Sequence, residues 1–446
     1  MIRQPTFLST LAVVILLAGG AGQLFAQQAP PYGVEEYNAY VATARAQNPG
    51  EQLQAIDSFL LRYPQSVLRA FVYPTQAQAA FGLKNYKKAM EAVDAFWGLD
   101  RAQVTETYRQ SKYNDSQIEN SYFSSLILFT YSFLQTVSNG TAPPDALMTK
   151  AAERAGEGLR LHARLYGPAQ PPADAAARQQ FEQQKQQQEA AFHSVLSFVA
   201  WRGKDYTQAA REYTYLVEKN PTEAVPNYRL GLSLLQKDSP DYLHGFWHVA
   251  RAIAFNVGRK DDVKEFLTNR VAAYQQVVPT CIESDVADII AQSTQSVHPP
   301  AGWSLVGADQ VNAVRQDMSV RRIFDDLQAG GEAGRLMWLA SCGTEIGADE
   351  NAQPQMAVLL VEIAQSEENQ VTLRVAAGQE AADSKSPNME LVLDDPAAAD
   401  GLKAQDVVRI AGQLDSYQSG PPFILHLSKG KVTKADDMVE EVEVEE

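Results

Sequence analysis

The chain has 446 residues, 45% hydrophobic and 21% charged, the composition of a soluble globular protein long enough for two or three domains. Its formal net charge of −16 at pH 7 creates a field that repels phosphate backbones and anionic lipid headgroups, so nucleic acid is not an expected partner. Two cysteines, Cys281 and Cys342, are too few for a disulfide framework.

Residues 1–26 read as a secretory signal peptide. Arg3 gives a positive start, the apolar run 7–17 is interrupted only by Ser9 and Thr10, and Leu24-Phe25-Ala26 puts a small residue before a cut. The run is too short for a stable membrane span. No cysteine lies near the cut to carry a lipid. The expectation is export to the periplasm or the cell exterior, with no membrane span once this segment is removed. In an oxidising compartment Cys281 and Cys342 are either one bridge or two buried thiols.

Residues 27–33 form a Gln/Pro linker, and from 34 to 280 the apolar pattern is helical almost throughout. Tyr37, Tyr40 and Ala44 make one stripe; Ile56, Phe59 and Leu60 make the next, stopped at Tyr63-Pro64. A hairpin follows with small Ala77 and Ala80, Tyr86 opening its second helix, then Ala89, Val93 and Phe96. Pro74 falls within the first helix of that pair, so that helix is expected to kink or to start there. The stretch 101–180 fits the spacing poorly. Residues 190–221 give the clearest hairpin: small Ser197, Ala200 and Ala209 where two helices must approach, Tyr206 opening the second, Tyr213 and Leu216 on its inner face, and Pro221 ending it. A further pair follows over 224–255.

This order of small, aromatic and proline positions resembles a tetratricopeptide repeat, a helical hairpin that recurs about every 34 residues. Such a hairpin cannot bury its own apolar face and must stack on neighbours, so the resemblance implies an α-solenoid that binds proteins rather than one that catalyses a reaction. In that family the concave groove is lined by set positions of each first helix. Carried over, the repeats at 70–101, 190–221 and 224–255 present Phe71 and Phe81, then Phe198, Trp201 and Arg202, then Tyr228, Leu232 and Gln236. Aromatics and Arg are the types that anchor interfaces. The basic and amide residues that clamp a partner's C-terminal carboxylate in chaperone-type members are missing, since Ser194 and Phe198 stand in their places.

Past the helical region, residues 281–353 read as a mixed α/β connecting segment, with a short strand at 303–306, one or two helices over 311–327 and a buried strand at 335–340. Residues 354–434 read as a small all-β barrel, with strands at 356–363, 371–376, 389–393, 407–414 and 423–427 and Gly412 inside the fourth. The run from Asp406 through Gly412, followed by Ser416-Tyr417 and Pro422-Phe423, resembles the OB-fold-like domains of secreted bacterial proteins. Its basic residues, Arg374, Lys385, Lys403, Arg409, Lys429 and Lys431, are interleaved with acids, which argues against a nucleic-acid groove. Residues 435–446 carry the acidic run Glu440-Glu441-Val442-Glu443-Val444-Glu445-Glu446 and are expected to be a disordered tail.

No catalytic constellation stands out. Asp241, His244 and His248 share one helix face, but a zinc site needs a third and often a fourth ligand. Gly330-Gly331 lacks the Lys-Ser/Thr of a phosphate loop and reads as a helix-to-strand turn. The sequence therefore predicts a non-enzymatic exported scaffold, without cofactor or metal, that binds a protein or peptide. An envelope-assembly or structural subunit is the first alternative, and a metal-dependent hydrolase using His244 and His248 the second.

Overall fold

The computed structural model of the protein describes residues 32–435 apart from 141, 168, 170 and 366–369. The signal-peptide segment, most of the linker and the acidic tail from residue 436 lie outside the described residues. The chain forms two compact units that divide between Gly258 and Arg259.

The first unit is a helical solenoid. Its helices are α1 (Val34–Arg45), α2 (Pro49–Arg62), α3 (Arg69–Gly82), α4 (Tyr86–Trp97), α5 (Arg101–Gln110), α6 (Asp115–Ser138), α7 (Asp145–Tyr166), α8 (Ala175–Arg202), α9 (Tyr206–Lys219), α10 (Ala224–Gln236) and α11 (Tyr242–Ala254). Seven start on an Asn or Asp whose side chain accepts a hydrogen bond from a first-turn amide: Asn48, Asn85, Asp100, Asn114, Asp174, Asp205 and Asp241. Each such cap contributes about 1 kcal/mol. Sequence neighbours pack as pairs, α1 on α2, α3 on α4, α8 on α9 and α10 on α11.

Two of these hairpins turn in the same way. After α3, Lys84 takes φ 58° and Asn85 caps α4; after α8, Lys204 takes φ 62° and Asp205 caps α9. The amides of Lys84 and Asn85 donate to the carbonyls of Phe81 and Ala80, at 2.9 and 2.8 Å. Those of Lys204 and Asp205 donate to Trp201 and Ala200, at 3.1 and 2.9 Å. Both are left-handed helix ends of the Schellman type, which satisfy the last carbonyls of the helix while reversing the chain. At the α10–α11 pair the approach is closest: a Cβ on Gly231 would stand 2.7 Å from Val249 Cγ2 and 2.8 Å from the Gly245 carbonyl oxygen. Only glycine fits there.

The stretch that fits the repeat spacing poorly forms the middle of the core. Helix α6 buries Phe123, Leu126, Phe129 and Phe133, which pack with Phe96 of α4, Leu161 of α7 and Phe192 of α8. Each large side chain so enclosed is worth about 1.5–3 kcal/mol. Helix α3 begins at Arg69, so Pro74 sits inside it and the helix runs through.

The second unit starts earlier than the expected boundary at 280. Helix α12 (Lys260–Gln275) packs on the short 3-10 turn Pro279–Ile282, on α13 (Glu283–Ser293) and on α14 (Ala308–Gln316). Then come α15 (Val320–Ala329) and α16 (Gly331–Ser341). The strand expected at 335–340 is thus corrected to helix: Met337, Leu339 and Ala340 are buried on α16, and Gly330-Gly331 joins two helices. Residues 303–306 form no strand either. Cys281 and Cys342 are joined by a disulfide, tying the 3-10 turn to the end of α16.

The barrel comprises β1 (Glu345–Ile346), β2 (Met356–Gln365), β3 (Val371–Ala376), a short helix α17 (Gln379–Ser384), β4 (Met389–Leu393), β5 (Val407–Gln418) and β6 (Ile424–Lys434). Strands pair in the order β5-β2-β3-β4-β6, and β6 returns to β5, closing a ring of five. All pairs are antiparallel except β4 with β6. Short β1 shares the β2 edge of β5, further along the strand. Alternate residues of β3 and β4 point inward, Val371, Leu373 and Val375 with Met389, Leu391 and Leu393, and Ile323, Leu327 and Met337 of α15 and α16 join the same core. The β5–β6 register shifts at Gly412, where a Cβ would lie 2.6 Å from Leu391 Cδ1. The bulge bends the strand enough to close so small a ring.

Candidate partner-binding site

The residues expected to line a groove fall on α3, α8 and α10, in differing surroundings. Phe71 is half-buried, its ring centroid 4.5 Å from that of Tyr108 and 6.1 Å from Tyr40. Phe198 is half-buried against Phe133 at 5.9 Å. Phe81 is half-buried beside Tyr86 at 5.7 Å. Leu232 is 7% exposed, so its side chain serves packing within the unit. Tyr228 is half-buried, and Arg202 and Gln236 are exposed.

Trp201 has an unforeseen companion. The guanidinium carbon of Arg229 lies 3.6 Å above the indole centroid, a cation–π contact worth about 0.5–2 kcal/mol. The indole Nε1 is closed off from solvent without a hydrogen-bond partner among the described residues. Arg229, not the neighbouring Arg202, is therefore the cation in contact with this ring.

Two polar clusters lie beneath the same helices, and neither was visible as a motif. Asn227 is fully buried on α10, and its amide donates to the carbonyls of Pro221 and Glu223 at 3.0 and 2.8 Å. Its oxygen must then accept, from Arg251 Nε at 3.2 Å and from His248 Nδ1 at 3.1 Å, which assigns the proton to that ring nitrogen. Arg251 also donates to Pro221 O at 2.9 Å, and burial pushes its guanidinium below its ordinary value. This cluster ties α11 to the turn before α10.

The second cluster joins α8 and α9. Glu212 is 5% exposed and takes hydrogen bonds from His193 Nδ1 at 2.6 Å and Gln208 Nε2 at 2.6 Å, with Arg211 at 3.3 Å. The His193 ring stacks on Tyr215 at 3.8 Å. Burial alone pushes the Glu212 carboxyl up, but its hydrogen bond and charge interaction with His193, and those with Arg211, outweigh this and hold it below the usual range. Nearby on α7, His162 Nε2 donates to Lys185 O at 3.0 Å, and burial lowers its pKa.

The histidines considered for a metal are separated in role. His244 is exposed and pairs with Asp241 at 3.0 Å, whereas His248 is 1% exposed in the Asn227 cluster. No group of three or more His, Cys, Asp or Glu side chains among the described residues could hold a metal. A helix turn that places both rings on one side thus leaves His244 at the surface and His248 within packing. In the second unit, an open cleft of about 390 Å³ is lined by Ser304, Gln310, Gly331, Glu332 and Arg335. Arg335 there is held by Asp285, with Nη2 to Oδ2 at 2.8 Å. On the barrel, Arg374 is bound to Glu362 and Glu390, and Lys431 to Glu345.

No protein-family model matches the chain, and no curated protein matches it. Among solved structures, the complex of the TPR2AB domain of yeast Sti1 with pHSP90 is similar over 59% of this chain and 97% of that chain, at 13% identity and a TM-score of 0.18. At that score the likeness carries nothing about this chain's partner.

Proposed function

We propose that the protein is an exported, non-enzymatic interaction scaffold whose helical unit takes a peptide or helix along a groove containing Phe198, Trp201 and Arg202. The observation that carries this reading is the equivalence of Phe81 and Trp201. Both are half-buried aromatics one residue past an alanine whose carbonyl closes a Schellman turn, in two hairpins built on one plan. A repeated aromatic at a repeated place is how a solenoid builds an extended binding face. The disulfide between Cys281 and Cys342 supports export, since such bonds persist in oxidising compartments. The ring order with one parallel pair, β4 with β6, supports reading the barrel as OB-like. Its tied-up basic residues favour a packing or protein-contact role over nucleic acid.

The test is affinity capture by the purified chain from an envelope fraction, comparing wild type with Trp201→Ala. Loss of a captured protein by about fivefold or more, with the chain still folded, is the expected result. Undiminished capture would remove Trp201 from the site.

A further inference from the structure

Six rings form a continuous row across three alternate helices of the first unit. Tyr32 stacks on Tyr37 at 5.7 Å between centroids, Tyr37 meets Tyr40 at 6.2 Å, and Tyr40 meets Phe71 of α3 at 6.1 Å. Phe71 in turn touches Tyr108 of α5 at 4.5 Å and Tyr113, just past α5, at 6.0 Å. Tyr37 is 45% exposed, while Tyr32, Tyr40, Phe71 and Tyr113 are half-buried. Tyr108 is 2% exposed, so it backs the row from the core and lends no face to a ligand, and it uses its hydroxyl within the protein, on the Ala70 carbonyl at 3.1 Å. The hydroxyls of Tyr32, Tyr37, Tyr40 and Tyr113 make no hydrogen bond among the described residues, and none is among the polar atoms closed off from solvent.

We propose that this row is a docking surface for a proline-rich, extended segment of a partner protein. The proposal rests on reading the first unit as a peptide-binding scaffold and supplies the chemical class of one ligand. A polyproline II segment has no internal hydrogen bonds, and its prolines have no N–H. It therefore offers apolar pyrrolidine rings together with unsatisfied carbonyl oxygens, many acceptors and few donors. The row matches both halves of that description. Its ring faces receive pyrrolidines, and four phenol hydroxyls stand ready to donate to carbonyls. An amphipathic helix fits less well, because its carbonyls are already satisfied along its own axis and the hydroxyls would be covered without acceptors. Each ring is held by the next, so little side-chain freedom is lost when a ligand arrives.

The experiment titrates the full chain with a blocked decaproline peptide and, separately, with an alanine-rich helical peptide of the same length. Decaproline is expected to bind. Tyr37→Phe, which keeps the ring and removes the hydroxyl, is expected to weaken it about two- to tenfold, and Tyr37→Ala by about tenfold or more. Because Tyr37 is exposed, both variants should melt with the wild type; Tyr113→Phe provides a second reading of a hydroxyl on another part of the row. Absence of decaproline binding, equal binding to Tyr37→Ala, or tighter binding of the helical peptide overturns the proposal. The Trp201→Ala variant keeps the two readings apart. If it loses partner capture while decaproline fails to bind, the scaffold reading stands and this one falls; if decaproline binding needs Tyr37 while Trp201→Ala captures normally, this one stands and only Trp201 is removed from the site.

Discussion

The hydroxyl of Tyr108 donates to the carbonyl oxygen of Ala70 at 3.1 Å, 38 residues away. Ala70 is the residue whose carbonyl would ordinarily be met by the amide of residue 74, and residue 74 is proline, without an N–H. A side chain from α5 thus fills the gap that Pro74 leaves in α3. Tyr108→Phe should cost about 1–3 kcal/mol in chemical denaturation, because it strands a buried acceptor. In a Pro74→Ala background the same change should cost less, since the restored amide can take over. Equal costs in both backgrounds would separate the two residues.

Glu212 gives a pH dependence with a defined sign. Its folded carboxyl titrates below the ordinary value of 4.5, so the unfolded chain binds the proton first. The stability it contributes is complete above that value and is lost as pH falls through the lower, folded value. Melting curves of wild type and Glu212→Gln should therefore run parallel above about pH 5 and converge in more acidic solution. A gap that stays constant down to pH 3 would mean that the carboxylate charge is not what the fold uses.

How much of this was legible in the residues depended on whether the pattern was local. The stretch 371–376 alternates apolar Val371, Leu373 and Val375 with polar Thr372 and Arg374, 389–393 is a short apolar run broken by Glu390, and the structure places β3 and β4 at those residues. The run Arg335-Leu-Met-Trp-Leu-Ala340 reads as a strand from sequence because a short apolar stretch has no period; packing on the barrel decides for helix. The cluster of Asn227, His248 and Arg251 left no trace, since its members lie 21 and 24 residues apart on two helices. Tyr37 and Tyr40 form one stripe in the sequence, but their continuation through Phe71 to Tyr113 needs the fold. Arg229 over Trp201 had no sequence signal beyond the presence of an Arg in the next hairpin.

The bond between Cys281 and Cys342 closes a loop with a sequence separation of 61. A crosslink of that span is worth about 4 kcal/mol through the unfolded chain. Replacing both cysteines by alanine should lower the unfolding midpoint of the second unit while leaving the first unit's transition in place. Denaturation followed by Trp338 fluorescence reports on the second unit directly, because its indole donates to the Cys281 carbonyl at 2.8 Å.

Gly231→Ala tests the closest helix contact. The added methyl would meet the Gly245 backbone oxygen at 2.8 Å, which cannot swing aside as a side chain can. A loss of about 1–3 kcal/mol is expected. The control is Gly156→Ala on α7, where nothing lies within 4 Å and the change should be neutral or stabilising.

The way β6 enters the barrel sets an order of events during synthesis. Residues 424–434 lie between β4 and β5, bonded to one in parallel and to the other antiparallel. Until they have left the ribosome, β4 and β5 each present an open edge, and such edges invite pairing with other chains. The interval between translating β5 and β6 is when a nascent second unit is most exposed to wrong partners, and holding the chain unfolded until then would protect it.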